Sequence, residues 1–136
     1  PAAFILEVVQ GEGGSIPASN EWIRGIRKIT ARYEIPLIID EVQAGIGRTG
    51  TMFAFEASGI IPDVVVSSTA VGGSLPLSIV MSRDYLEQWG PGAPAGTFRG
   101  NQKAMATGMA VIQYIQDHQL VDNAAQVGNY LMTKLR

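Results

Sequence analysis

A chain of 136 residues suffices for one compact domain with one core, and 46% hydrophobic against 16% charged residues is the composition of a globular protein. A net charge of −2 argues against nucleic-acid or anionic-membrane binding. Zero cysteines exclude disulfides and thiolate metal sites, and the single histidine, His118, argues against a histidine-rich metal centre or a Ser-His-Asp triad.

No apolar run approaches the ~20 residues that cross a bilayer, and the start has no signal-peptide pattern. A soluble, cytoplasmic protein without a metal is the expectation. In chain order, FILEVV predicts a first strand over Ala3–Val9, apolar up to Glu7. The following GEGGSIPAS reads as loop, since its glycines and Pro17 interrupt any regular element. It lacks the Lys-Ser/Thr of a phosphate-binding P-loop, so a plain turn is the better reading, and Glu12 within it reads as a solvated loop carboxylate. Ser19 or Asn20 can cap the next helix, with Glu21 in its first turn. Trp22, Ile26, Ile29 and Tyr33 fall at helical spacing and are predicted to lie on the sheet, leaving Arg24, Arg27, Lys28 and Arg32 as the wet side.

The stretch PLIIDEVQAGIGRTG, residues 36–50, is the most informative. Apolar residues behind Pro36 run into the carboxylate of Asp40, which predicts a buried parallel strand over Pro36–Asp40 and, with the strand and helix before it, a βαβ crossover. Ligands of open α/β sheets bind outside the carboxyl ends of the strands. Asp40 stands there, with Gln43 in the loop beyond; spacing alone equally allows Asp40 to cap the following turn. GxGRTG is not a dinucleotide fingerprint, because the spacing and the following helix are missing. Gly45, Gly47 and Gly50 read instead as permitting tight backbone passage beside the site, with Arg48 holding the loop or a subunit interface.

Phe53, Phe55 and Ile60 predict a short helix ending near Gly59, and Pro62-Asp63 opens a strand over Val64–Ser67. Gly72–Pro76 joins that strand to another at Leu77–Met81. A parallel crossover takes about a dozen residues or more, so this connection makes the strand antiparallel. A short helix over Asp84–Trp89 and a GPGAPAG loop lead to Thr97, an ordinary turn threonine by composition. From Gln102 the chain is helical, with Met105, Met109 and Ile112 beside Ala104 and Gly108 as a core face. Asp117-His118-Gln119 marks a bend, and Leu120, Ala124, Val127, Leu131 and Leu135 form the apolar stripe of a last helix.

IIDEVQAGIGRTG resembles the signature of class III aminotransferases, fold type I enzymes that use pyridoxal phosphate (PLP). LEVVQGEGG, PDVVVSSTAVGGSLPLS and AGTFRGNQ resemble further motifs of the family in the same order, so the likeness covers essentially the whole chain. It implies an α/β fold: part of the fold type I PLP-transferase large domain, a mostly parallel sheet with one antiparallel strand (Leu77–Met81) and flanking helices. Residues 1–136 would be the central and C-terminal part of that domain, the N-terminal segment and small domain being absent from this stretch. The last helix leads to the small domain in the family, so its apolar stripe is expected to be exposed, a possible association surface.

The resemblance also implies roles. Asp40 matches the aspartate that pairs with the pyridine nitrogen, keeping it protonated so that the ring accepts electrons. Gln43 matches the glutamine that bonds the ring hydroxyl oxygen. Glu12 matches a glutamate that gates substrates by pairing with a small-domain arginine, which this chain does not contain. Thr97 matches the threonine that reaches the neighbouring subunit's PLP phosphate in a homodimer with a shared active site. Thr69 stands where the family has its Schiff-base lysine; threonine has no amine, so the chain as written is expected to be inactive. PASNEWIRGIRKIT, FAFEASGIIPD and PGAPAGTFRGNQKAMA are similar to members that move the terminal amino group of 2,4-diaminobutyrate to 2-oxoglutarate. An amino donor and a 2-oxo acid are therefore the implied partners. A non-catalytic remnant or scaffolding domain with the same fold, and an active-site variant or piece of a longer enzyme, remain open beside that reading.

Overall fold

In the computed structural model, which describes residues 1–93 and 96–136, the first apolar run makes β1 (Phe4–Glu7) and then breaks at Val8. Val9–Gln10 (β2) leaves the main sheet and pairs antiparallel with Ile16–Pro17 (β3). The strand predicted over Ala3–Val9 is thus two pieces, and the predicted loop contains a strand. The cause is the turn between them: the N–H groups of Gly14 and Ser15 both donate to the Gly11 carbonyl, which brings Gln10 opposite Ile16. Pro17 is tolerated because this ladder is a two-residue edge.

Helix α1 (Asn20–Arg32) starts where Ser19 accepts the Trp22 N–H at 3.2 Å. Its buried face differs from the predicted one. Trp22, Ile29 and Tyr33 are 49%, 55% and 63% exposed, whereas Ile23 and Thr30 are buried and Ile26 is half-buried. The predicted wet side is partly the inner side: Arg24 donates to the Ser58 carbonyl, and Arg27 forms a two-pronged pair with Asp63. A guanidinium met by a buried carboxylate can lie on the sheet with its stem packed, and that decides the helix phase.

Strand β4 (Leu37–Asp40) pairs parallel with β1, Glu7 lying opposite Asp40. On its other side runs β5 (Val64–Ser68), also parallel, with Val66 opposite Asp40. β6 (Ser78–Ser82) is antiparallel to β5, one residue later than the strand inferred from loop length, and the sheet order is β1-β4-β5-β6. Short 3-10 turns occupy Ala54–Ser58, Thr69–Gly72 and Asp84–Leu86, the last being all that forms of the helix predicted over 84–89. Helix α2 (Gln102–Asp117) is capped by Asn101, and α3 (Leu120–Leu135) follows a sharp reversal at Gln119. The GPGAPAG stretch lies partly outside the described residues.

Strand side chains alternate, so the sheet has two faces. One carries Leu37, Ile39, Val65 and Ser67, all buried; Leu37 and Ile39 pack with Ile23, Ala44, Ala54 and Ile60. The Ser67 hydroxyl is buried there with no hydrogen-bond partner among the described residues. The opposite face carries Ile38, Asp40, Val66 and Val80 and is open, Val80 being 65% exposed.

Met105 and Met109 also reverse their expected place: both are exposed, and Ala104 and Gly108 are buried. A Cβ at Gly108 would stand 2.9 Å from Leu77 Cδ2 and 3.1 Å from the Val71 carbonyl oxygen. Small residues, not methionines, let α2 lie on the 69–72 turn. The apolar stripe of α3 is exposed at Leu120, Val127, Leu131 and Leu135. Gly47 and Gly50 permit a close passage, that of α3: a Cβ at Gly50 would stand 2.9 Å from Ala125 Cβ, and one at Gly47 3.0 Å from Val121 Cγ2.

Candidate functional site

The carboxyl ends of β4 and β5, the two central strands, bring Asp40 and the segment 68–69 to one end of the sheet. Asp40 is half-buried on the open face. Its Oδ1 accepts the Val42 N–H at 2.9 Å, so Asp40 does cap the turn. Its Oδ2 has no hydrogen-bond partner among the described residues. The two readings of this carboxylate are compatible, one oxygen serving each.

Gln43 lies in the turn that Asp40 caps. Its Nε2 donates to Glu12 Oε1 at 3.0 Å, across from the loop after β2. Gly11 makes this approach possible: a Cβ there would fall 2.2 Å from Gln43 Oε1. The Gly11 N–H is in turn held by Glu7 Oε2 at 2.8 Å. Glu7, Gly11, Glu12 and Gln43 therefore form one connected corner, and Glu7 shares its sheet register with Asp40. Glu12 is tied to Gln43 rather than being only a solvated loop carboxylate.

Glu41, which sequence reasoning passed over, is fully buried. Its Oε2 accepts the Ala54 N–H and its Oε1 the Phe55 N–H, both at 3.0 Å. Its own N–H donates to the Val66 carbonyl at 2.8 Å and its carbonyl accepts the Gly45 N–H at 2.9 Å. Burial pushes its pKa above the ordinary 4.5, and the two amide hydrogen bonds pull the other way without cancelling that rise. The signal that could have found it is alternation: the residue after an outward-facing Asp40 in extended chain points inward.

Thr69 is exposed, and its N–H donates to the Leu77 carbonyl at 3.1 Å. Its φ of 50° is in the left-handed region, where a β-branched residue is strained. Its side chain offers a hydroxyl and no amine. Thr97 lies in an exposed turn ahead of α2, and no hydrogen bond joins it to Asp40, Gln43 or Thr69. Sequence-predicted residues Asp40, Gln43 and Glu12 thus share one corner, Thr69 directly follows the neighbouring strand, and Thr97 makes no hydrogen bond to any of them. Among the described residues no group of three or more His, Asp or Glu side chains could hold a metal, and no helix is long and apolar enough to cross a membrane.

The family profile of class III aminotransferases matches residues 1–136. The diaminobutyrate–2-oxoglutarate aminotransferase of Rhizobium meliloti (strain 1021) is 57% identical over 135 residues, covering 99% of this chain and 29% of the relative. That of Haemophilus influenzae (strain ATCC 51907 / DSM 11121 / KW20 / Rd) is 50% identical over 136 residues, covering 100% of this chain and 30% of the relative. Among solved structures, the ornithine aminotransferase of Toxoplasma gondii, which has partial occupancy of PLP at its active site, superposes with a TM-score of 0.94 at 30% identity, covering 99% of this chain and 32% of that one. The acetylornithine aminotransferase of Elizabethkingia anophelis superposes with a TM-score of 0.93 at 31% identity, covering 98% and 34%. The chain spans about a third of the length of the curated relatives it matches.

Proposed function

This chain belongs to the class III aminotransferase family, and from that premise we propose that it is the central and C-terminal part of the large domain of a PLP-dependent transaminase. The amino group would pass between the terminal amine of 2,4-diaminobutyrate and 2-oxoglutarate. Identity of 57% and 50% to relatives named for that reaction supports the substrate pair. The observation that carries the site is the acceptor oxygen of Asp40 that has no donor among the described residues, at the end of a parallel strand and beside a glutamine held by Glu12.

PLP fits the donor set in part. When bound, it supplies a protonated pyridine ring that takes up charge from the carbon losing its proton. Asp40 Oδ2 would accept the ring N–H. Gln43 has a second amide hydrogen beyond the one given to Glu12, and would donate it to the ring oxygen. Thr97 would serve the phosphate of a partner subunit, so the proposal includes a homodimer with shared sites; we place it in the cytoplasm. Glu12 would act as a substrate gate only with an arginine from outside this chain.

Thr69 does not fit. It cannot hold the cofactor covalently, nor carry a proton between the substrate's and the cofactor's carbon as an amine would. We therefore propose weak, non-covalent PLP binding and no transamination by a protein carrying Thr69. A non-catalytic domain of the same fold is the second reading, and Thr69 is the observation on its side; the connected corner of Asp40, Gln43 and Glu12 counts against it.

The test is intact mass after PLP and borohydride reduction, on the whole protein and on Thr69→Lys. No adduct at residue 69 in the first and a pyridoxyl adduct there in the second is the expected result. Amino transfer from glutamate by the Thr69 protein, or a PLP complex surviving dialysis, would overturn the proposal.

A further inference from the structure

Asp40 and Gln43 sit on one turn, residues 40–45, which Ala44 packs into the core. Its polar anchor is Glu41. The buried carboxylate reaches across to Ala54 and Phe55, 13 and 14 residues on, and each oxygen takes one N–H at 3.0 Å. Its main chain is held at both ends, by the Val66 carbonyl and by the Gly45 N–H. Gly45 packs so tightly that a Cβ would lie 2.7 Å from the Glu41 carbonyl oxygen and 3.3 Å from its Oε2. Asp40 directly precedes Glu41 and is half-buried, and Gln43 follows it by two residues and is exposed. The same turn runs on into the loop whose Gly47 and Gly50 bear α3.

We propose that Glu41 is a positioning residue: its carboxylate clamps the 40–45 turn to the 54–58 turn, and so sets the geometry from which Asp40 and Gln43 meet the cofactor ring. The ligand part of this statement rests on the PLP reading above; the clamp itself does not. A carboxylate with one amide donor on each oxygen holds direction as well as distance, because both donors come from successive residues of one turn. Replacing it by an amide of the same shape keeps one acceptor and turns an N–H donor toward the other backbone N–H, leaving a buried donor unpaired.

The experiment uses the whole protein and Glu41→Gln. Amide hydrogen exchange in the absence of ligand is expected to rise about tenfold or more at Val42–Gly45 and at Ala54–Phe55, with β5 and β6 unchanged. Titration with PLP is expected to weaken about tenfold, while titration with a phosphorylated benzaldehyde lacking ring nitrogen and ring hydroxyl changes less than about twofold. Equal loss for both ligands, exchange raised across the whole sheet, or unchanged exchange at Ala54–Phe55 would each overturn the clamp. If the unsubstituted protein binds PLP no better than the benzaldehyde, the cofactor reading fails, and the exchange pattern alone then upholds or overturns the clamp.

Discussion

Asp63→Asn is the substitution with the largest effect that the structure lets one work out. Asp63 is 5% exposed, opens β5, and accepts the Leu37 N–H at 2.9 Å together with the guanidinium of Arg27, whose Nη2 lies 3.3 Å from Oδ1. Arg83 Nε stands 3.5 Å from the same oxygen. One carboxylate thus joins α1, β4 and the end of β6. Removing one partner of a buried pair costs about 3–5 kcal/mol. The side chains of Arg27 and Arg83 are 24% and 46% exposed and regain hydration, and asparagine keeps one acceptor oxygen. The expected loss is therefore about 2–3 kcal/mol at neutral pH, read from urea denaturation. Burial alone would raise the pKa of Asp63, but hydrogen bonds from Arg27, the Leu37 N–H and Tyr85 outweigh it and hold it below the ordinary 3.8. A carboxylate with a lowered folded pKa stabilises above its unfolded pKa and loses that contribution as pH falls through the folded one. The gap between the native protein and Asp63→Asn should persist down to pH 3.8 and close only below it. A loss under about 0.5 kcal/mol at pH 7, or a gap already closed at about pH 5, would refute the reasoning.

Three smaller perturbations probe the glycines and the strained residue. Thr69→Gly relieves a β-branched residue at φ 50° and should gain about 0.5–1 kcal/mol in denaturant titration despite the added chain entropy. Gly50→Ala places a Cβ 2.9 Å from Ala125 Cβ at a φ of 88°, and should cost about 1–3 kcal/mol with amides at the start of α3 exchanging faster. Gly11→Ala drives a methyl into Gln43 Oε1, so the side-chain amide resonances of Gln43 should shift as its bond to Glu12 breaks, with stability changed by less than about 1 kcal/mol because the turn is exposed.

What was legible in the sequence was local. The Ser19 cap, the strand running into Asp40 and the antiparallel β6 each follow from a few adjacent residues and a loop length. What was not legible depended on partners far along the chain. The phase of α1 turns on Arg27 meeting Asp63, 36 residues away, so counting apolar residues within the helix selected the outer face. Met105 and Met109 were assigned to the core by polarity, whereas Gly108 is the residue whose neighbours forbid a side chain. Within the site, Asp40 and Gln43 could be picked from their motif. Glu7 could not, because its part is to hold the Gly11 N–H, a backbone contact with no residue pattern of its own.

Asp40 and Glu41 show how two adjacent carboxylates come to opposite ends. Successive residues of extended chain point to opposite faces, so a strand that turns Asp40 outward turns Glu41 into the core. There the charge is tolerated because two backbone N–H groups meet it, yet burial still raises its pKa above 4.5. This is the reverse of Asp63, and so is its pH signature. An acid with a raised folded pKa contributes stability that is fully present below its unfolded pKa and is lost as pH rises through the folded one. Glutamine at this position does not titrate. The stability advantage of the native protein over Glu41→Gln should therefore be largest below pH 4.5 and narrow as pH rises, without closing, since the ionised carboxylate still accepts both amides. Denaturation midpoints of the two proteins across about pH 4 to 8 measure that difference. An advantage that is flat or widens with pH would mean that the two amide hydrogen bonds match or outweigh burial, and would refute the raised pKa.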